Sequence, residues 1–277
     1  MTKDKTLQDL FQTRYGEAPA LDETAPDPDL LSSMVARGSC RTFLDKPVPM
    51  EWANLLCATA LASPTKSDLQ QRDIILLHSP EKRARLAALV GTQTWVANAP
   101  MIAVFCGNNR RQRQVHHHHS IPFANDHLDA FFNATADAAI ALGAFVTAAE
   151  AIGLGCCPIS AVRNEAAAVA DLLALPDHVF PVAGLAFGFA AQPPEVSKRL
   201  PLHVTCHVDS YTDTKIEDIV TYDTTRATSQ PYAAQRFPDT FEASETYGWS
   251  QDKARQYSAP ERDTFGTYIR SIGFKLD

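Results

Sequence analysis

The chain has 277 residues, 45% of them hydrophobic, enough to bury a sizeable core as one large domain or two small ones. Its formal net charge of −7 argues against nucleic acid as a main partner, because a phosphate backbone needs a basic face that this composition does not supply in bulk. Met1 to Leu10 carry charges at Lys3, Asp4, Lys5 and Asp9 and no apolar core of signal-peptide length, so a cytoplasmic protein is expected.

Pro and Asp cluster at Ala25 to Asp29 ahead of an amphipathic stretch, Leu30 to Ala36, which predicts a helix ending on Arg37-Gly38-Ser39-Cys40-Arg41-Thr42-Phe43. Pro49, tolerated in a first helical turn, opens a helix over Pro49 to Ala62. Arg72 to His78 is a short apolar run and a predicted strand. Ser79-Pro80-Glu81 supplies a cap and first turn for a helix through Val90, and Met101 to Cys106 reads as a buried strand.

Asn125 is the predicted cap of the longest helix, along which Leu128, Phe131, Phe132, Thr135, Ala139, Leu142, Val146 and Ala149 recur at helical spacing. Many remaining positions are Ala or Gly, which permit close approach of another element. The richest apolar stretch, Ala134 to Gly155, contains Asp137 and Glu150 and reads as a buried helix rather than a membrane span. A helix over Asn164 to Ala174 and strands over Val179 to Phe189 and Val204 to Val208 complete an α+β pattern. Gly184 to Gly188 lacks GxGxxG spacing, which disfavours a dinucleotide-binding fold. From Tyr211 the composition shifts to Thr, Tyr, Asp and Gln. This part is expected to wrap over a surface, another subunit, before a final helix at Gln251 to Gln256.

Six cysteines, at 40, 57, 106, 156, 157 and 206, form no CxxC pair, and the vicinal pair could close only with strain, so they read as buried thiols of a reduced compartment. Cys40 lies between cations that could lower its pKa, but packing is the expected role. The run His116 to His119, near His127, invites a metal hypothesis. Consecutive histidines on one loop rarely converge on one ion, and no acidic or thiol partner stands at ligand spacing, so a surface loop without metal is expected.

Taken singly, Arg37 and Arg41 read as helix-end cations, Ser63-Pro64 as a turn, Gln93 as a surface amide and Lys198-Arg199 as a solvated loop. Their order and spacing, with Ser63-Pro64-Thr65-Lys66-Ser67, Gly153-Leu154-Gly155, Pro158-Ile159-Ser160-Ala161 and Lys198-Arg199-Leu200-Pro201, resemble the FMN-dependent nitroreductase and flavin reductase family. The larger, NADPH-preferring branch is the nearer match. The resemblance covers roughly residues 30 to 210 well and the tail more loosely.

That resemblance implies an α+β fold with a mixed, mainly antiparallel sheet flanked by helices, in an intertwined homodimer. Residues 1–210 would form the FMN-binding domain, and residues 211–277 an extension that embraces the partner and covers the active site. The FMN phosphate would be met by Arg37, Ser39 and Arg199, with Lys198 assisting and Ser197 alongside. Arg41 would lie near N1 and O2, where charge collects on reduction. Gln93 and Gln70 would meet the pyrimidine edge, with Thr65 and Ser67 approaching from the opposite protomer. Pro158, Ile159, Ser160 and Ala161 would lay backbone N–H groups near N5 and O4.

The sequence also departs from the family pattern: Gly38 replaces a frequent second Arg, Ser197 a Lys, Pro158 a common aromatic, and Asp68 an apolar residue facing substrate. Arg226, Arg236 and Arg255 are candidates for the 2′-phosphate of NADPH. The implied activity is two-electron transfer from NADPH or NADH through FMN to a nitroaromatic, quinone or free flavin, with no protein nucleophile. Two alternatives are a specialised chemistry on the same fold, such as a reductive dehalogenase or flavin-consuming enzyme, supported only by Asp68, and a non-catalytic flavin sensor.

Overall fold

A computed structural model describes residues 6–19, 28–91 and 93–277. The charges at Lys3 to Lys5, the Pro/Asp cluster up to Asp27, and Thr92 beside Gln93 lie outside the described residues. The helices are α1 (Leu7–Tyr15), α2 (Pro28–Ala36), α3 (Met50–Leu61), α4 (Pro80–Leu89), α5 (Arg110–His118), α6 (Leu128–Ala151), α7 (Ala166–Leu173), α8 (Leu202–Thr205), α9 (Ile216–Ala227), α10 (Trp249–Gln256) and α11 (Phe265–Ser271). The strands are β1 (Arg72–Leu77), β2 (Met101–Asn108), β3 (Gly155–Ile159) and β4 (Val179–Gly188). Two compact units result: residues up to Gly38 with Glu195–Glu261, and Ser39–Pro194 with Arg262–Asp277.

The second unit holds the sheet, in the order β1-β2-β4-β3 with every strand pair antiparallel. Its parallel component is one isolated bridge, Ser39 to Cys156. The sheet is covered on both faces, which is why β2 is apolar at nearly every position. Met101, Ala103 and Phe105 pack with Leu56, Phe145, Leu185 and Phe187, while Ile102, Val104 and Cys106 pack with Leu86, Val162, Val169 and Leu172. Phe145 meets Phe105 edge-on at 5.6 Å between ring centroids and Phe187 at 5.1 Å.

Helix α6 buries the predicted Val146 and Ala149, but over its N-terminal turns its buried face is rotated from the predicted one. The buried stripe is Ala130, Ala134, Asp137, Ala138, Ala141, Phe145, Val146 and Ala149, whereas Leu128 and Phe132 are 49% and 63% exposed. Small side chains let a helix approach closely, so alanines make up most of the inward face, with Phe145 and Val146 toward its C-terminal end. By length and hydropathy α6 could also cross a membrane. Here its buried stripe packs against the sheet and carries an ionisable Asp137, as a core helix does.

Other expectations are corrected. The cap of α6 is His127, whose Nδ1 accepts from Asp129 N at 3.3 Å, and not Asn125. Val204 to Val208 is not a strand: Pro201 precedes the short helix α8, and Val208 is 82% exposed with no neighbouring strand to pair with. The sequence reading passed over β3, an edge strand whose exposed Pro158 has no N–H to leave unpaired. The histidine run is the C-terminal end of α5 and not a loop, an end where the helix dipole tolerates such residues. Helices α1, α5, α9 and α11 were also unforeseen; α9 buries only Tyr222, so it leaves no periodic signal. Because α11 follows it, α10 is not the final helix.

All six cysteines are free. Burial pushes Cys57 to about 11 and Cys106 to about 12, and it also raises Cys40 above its ordinary value. Cys40 is therefore a packing residue rather than an activated thiol.

Candidate functional site

In the first unit the segment Ser197-Lys198-Arg199 is held main chain first. Ser197 O accepts from Arg14 Nη1 at 3.0 Å, Lys198 N donates to Gln230 Oε1 at 3.0 Å, and Arg199 N donates to Arg14 O at 2.7 Å. Lys198 O accepts from the Tyr222 hydroxyl at 3.1 Å and from Arg226 Nη1 at 3.2 Å. With its backbone fixed, the segment presents its cations in a defined place. The side chain of Arg199 remains exposed and is steadied by Ser197 Oγ at 2.7 Å.

These residues line a cleft of about 580 Å³ with Tyr15, Leu200, Thr205, Tyr222, Arg226, Tyr232, Trp249 and Lys253. Its charged lining is wholly cationic: Lys198, Arg199, Arg226 and Lys253, with no carboxylate. Tyr222 meets Trp249 edge-on at 5.4 Å. Aromatic walls beside several cations suit an anion carried on a flat ring system.

The other two tail arginines face elsewhere. Arg255 is buried and donates to Arg236 O at 3.1 Å and Glu242 O at 2.7 Å. Arg236 Nε pairs with Asp252 at 3.0 Å, and Lys253 Nζ meets the other oxygen of that carboxylate at 2.7 Å. These cations, together with the Tyr247 hydroxyl, hold Asp252 below the usual carboxylate range against its burial.

In the second unit Ser39 and Arg41 lie along the outer edge of β3. Cys40 N donates to Cys156 O at 2.9 Å, Ala191 N to Thr42 O at 3.0 Å and Leu44 N to Phe189 O at 2.8 Å. Gly155 permits this seating: a Cβ there would come within 2.6 Å of Cys40 Sγ. Pro158 and Ser160 are exposed at the end of the same strand, while Ile159 and Ala161 are buried. Arg41 is exposed, with its guanidinium 6.0 Å from the Trp95 ring centroid, and Gln93 opens the 3-10 turn that carries Trp95.

The segment after Ser63-Pro64 is anchored by a residue whose role the sequence reading missed. Asp137, on the buried face of α6, accepts from Lys66 N and Gln71 N, each at 2.9 Å, and from the Thr65 hydroxyl, and it lies 3.7 Å from Arg72 Nη1. Thr65 Oγ1 in turn accepts from Gln70 N at 2.9 Å. Between these anchors Ser67, Asp68 and Gln70 take left-handed backbone conformations, with φ of 48°, 56° and 52°. Non-glycine residues adopt that region only when their surroundings hold them there, so Asp137 sets the shape of the loop. Gln70 Nε2 donates to Asp68 Oδ1 at 3.2 Å, and Ser67 Oγ accepts from Lys66 Nζ at 3.0 Å. The available signal was a carboxylate inside an alanine-rich helix, which cannot be buried without partners.

The structure thus gathers Ser197, Lys198, Arg199 and Arg226 in one place, Ser39 and Arg41 with Pro158 to Ala161 in another, and Thr65 to Gln70 in a third. Among the described residues no group of three His, Cys, Asp or Glu could hold a metal ion.

A family model described as Nitroreductase family matches residues 34–189, and one described as Nitroreductase family, C-terminal domain, matches residues 197–277. The chain is 29% identical over 254 residues to an FMN reductase (NAD(P)H) of Bacillus subtilis, covering 90% of this chain and 99% of that protein. It is 30% identical over 243 residues to an NADPH-flavin oxidoreductase of Vibrio harveyi, covering 88% of this chain and 97% of that one. The solved structure of B. megaterium NfrA2 superposes with a TM-score of 0.81 at 27% identity, over 90% of this chain and 99% of its own.

Proposed function

Because this chain belongs to the nitroreductase family, we propose that it works as an FMN-dependent NAD(P)H oxidoreductase acting on nitroaromatics, quinones or free flavin. The observation that carries the reading is the cationic, aromatic-walled cleft lined in part by the braced segment Ser197-Lys198-Arg199. A phosphate-bearing ring cofactor asks for this set of donors, and the residues present fit it. FMN, when bound, supplies the atom that takes hydride from NAD(P)H and the two electrons then passed to an acceptor.

In the family arrangement Arg199, Lys198, Arg37 and Ser39 would hold the phosphate, with Ser197 orienting Arg199. Arg41 would favour negative charge at the pyrimidine end of the ring. Gln93 and Gln70 would meet the ring amides, Thr65 and Ser67 would approach from the opposite protomer, Pro158 to Ala161 would border the ring with backbone, and Asp68 would face substrate. The flavin reductase names of the relatives do not favour the specialised-chemistry or sensor alternatives.

Anaerobic spectra test this reading. A yellow protein whose band near the visible flavin maximum bleaches with NADPH or NADH, and returns when a quinone or nitroaromatic is added, is the expected result. Bound flavin that both donors leave oxidised would overturn it.

Of the three tail arginines, Arg226 is the one we assign to the 2′-phosphate of NADPH, because it lines the cleft, beside Lys198 O and the Tyr222 hydroxyl, whereas Arg236 and Arg255 do not line it and are held by Asp252, Glu242 and each other. Losing one charge-assisted contact is worth about 1.5–3 kcal/mol, so Arg226→Ala should raise KM for NADPH by roughly 10- to 100-fold. Steady-state kinetics should leave KM for NADH within about twofold; an equal rise for both donors would remove Arg226 from the phosphate.

The working form is a homodimer in the cytoplasm. Trp52 and Leu55 of α3 and Phe132 and Ile140 of α6 leave apolar surface exposed on the second unit, which a second copy would cover. Tyr211, Ile216, Val220 and Tyr257, also exposed, support a tail from residue 211 onward that wraps the partner.

A further inference from the structure

The family model begins at residue 34, so α1 lies ahead of the stretch it matches. It is nevertheless a well-made helix. A capping box joins Thr6 and Asp9, Gly16 closes the C-terminus at φ 76°, and Leu7 and Leu10 are buried. Near its end stands Arg14, an arginine only 4% exposed.

We propose that this N-terminal helix is a brace for the phosphate clamp and that Arg14 is its positioning residue. The inference rests on the assignment of Arg199 and Lys198 to the FMN phosphate. Arg14 Nε and Nη2 donate to Val35 O at 3.1 and 2.6 Å, Nη2 also donates to Arg37 O, and Nη1 donates to Ser197 O at 3.0 Å. Its own carbonyl accepts Arg199 N at 2.7 Å. One side chain therefore ties the end of α2, where Arg37 stands, to the segment that carries Lys198 and Arg199, two stretches far apart in the chain.

The chemistry suits arginine alone. The planar guanidinium has five N–H donors in a fixed fork and can serve three carbonyls at once, whereas an ammonium is a point charge on a flexible stem. A cation at the C-terminus of α2 also meets helix carbonyls that have no partner within the helix. Glu17, just past α1, extends the brace: its Oε1 accepts Leu202 N at 2.7 Å, beyond the far end of the clamp. Arg14 itself donates only to main-chain oxygens in these contacts, so its effect on the phosphate passes through Arg37, Lys198 and Arg199.

The brace separates phosphate recognition from ring recognition, which makes it measurable. FMN is stripped from the full-length protein, and FMN and riboflavin, which lacks the phosphate, are titrated by flavin fluorescence. The wild type is compared with Arg14→Lys, Glu17→Ala and Arg199→Ala. Misplacing a clamp by a fraction of an ångström lowers affinity about 10- to 100-fold, so Arg14→Lys should lose that much in its preference for FMN over riboflavin. Riboflavin binding should stay as in the wild type, and Glu17→Ala should lose about threefold or more.

Glu17 is not part of the core, so its variant reads the brace even where the Arg14 variant folds poorly. An unchanged preference in both variants, with Arg199→Ala lowering it, would overturn the brace and leave the clamp standing. Equal losses for FMN and riboflavin in Arg14→Lys would reduce Arg14 to a general folding role and overturn it too. An unchanged preference in Arg199→Ala would remove the clamp assignment itself, and the brace with it.

Discussion

Replacing Asp137 by alanine should destabilise the protein by about 3–5 kcal/mol, the usual result of removing one partner from a buried ion pair. The side chains of Asp137 and Arg72 are 1% and 3% exposed, so the cation left behind could not turn to water. Arg72 would keep Leu61 O and Ser63 O, each at 2.8 Å, but no countercharge. The backbone N–H groups of Lys66 and Gln71 and the Thr65 hydroxyl would lose their acceptor together. The left-handed turns at Ser67, Asp68 and Gln70 would keep only bonds such as Gln70 N to Thr65 Oγ1 and Arg111 Nη1 to Gln70 O, and would lose their charged anchor.

Urea unfolding of the apoprotein reads the stability, and FMN titration reads the loop. Asp137→Asn retains one carbonyl acceptor without the charge and should fall between wild type and alanine on both measurements. If Asp137→Ala unfolded within about 1 kcal/mol of wild type, the loop would not depend on this carboxylate and the anchor would be misassigned.

Arg199→Ala is the second large effect. It should weaken FMN retention by roughly 10- to 100-fold, since a charge-assisted contact to phosphate is worth about 1.5–3 kcal/mol. The Arg199 side chain is exposed and supports no core, so folding should hold while flavin is lost on gel filtration. Its backbone N–H would still bond Arg14 O, so the effect would be confined to the guanidinium. Unaltered FMN affinity in this variant would exclude Arg199 from the phosphate.

Much of this is legible in the amino-acid sequence. Arg37-Gly38-Ser39-Cys40-Arg41 and Lys198-Arg199-Leu200-Pro201 stand out because anion binding demands particular side chains, and those are visible wherever the chain carries them. Strands β1, β2 and β4 and helices α3, α4 and α7 could be read to within a few residues from apolar runs and caps. Helix α6 is legible as a helix, with Val146 and Ala149 on its buried face, but over its N-terminal turns alanines face inward in place of Leu128 and Phe132, since small side chains allow the closest approach. The strand foreseen at Val204 to Val208 failed because a strand exists only with a neighbour to pair with, and local composition says nothing about neighbours.

The order and spacing of the motifs, through their resemblance to a known family, pointed to the cofactor chemistry and to the residue types that serve it, because charge and hydrogen-bonding capacity belong to side chains one at a time. Tertiary structure alone decided which groups hold those residues in place. Lys66 meets Asp137 across 71 positions and Arg14 meets Ser197 across 183. A buried charge is acceptable only once such partners surround it, so the roles of Asp137 and Arg14 came into being with the fold.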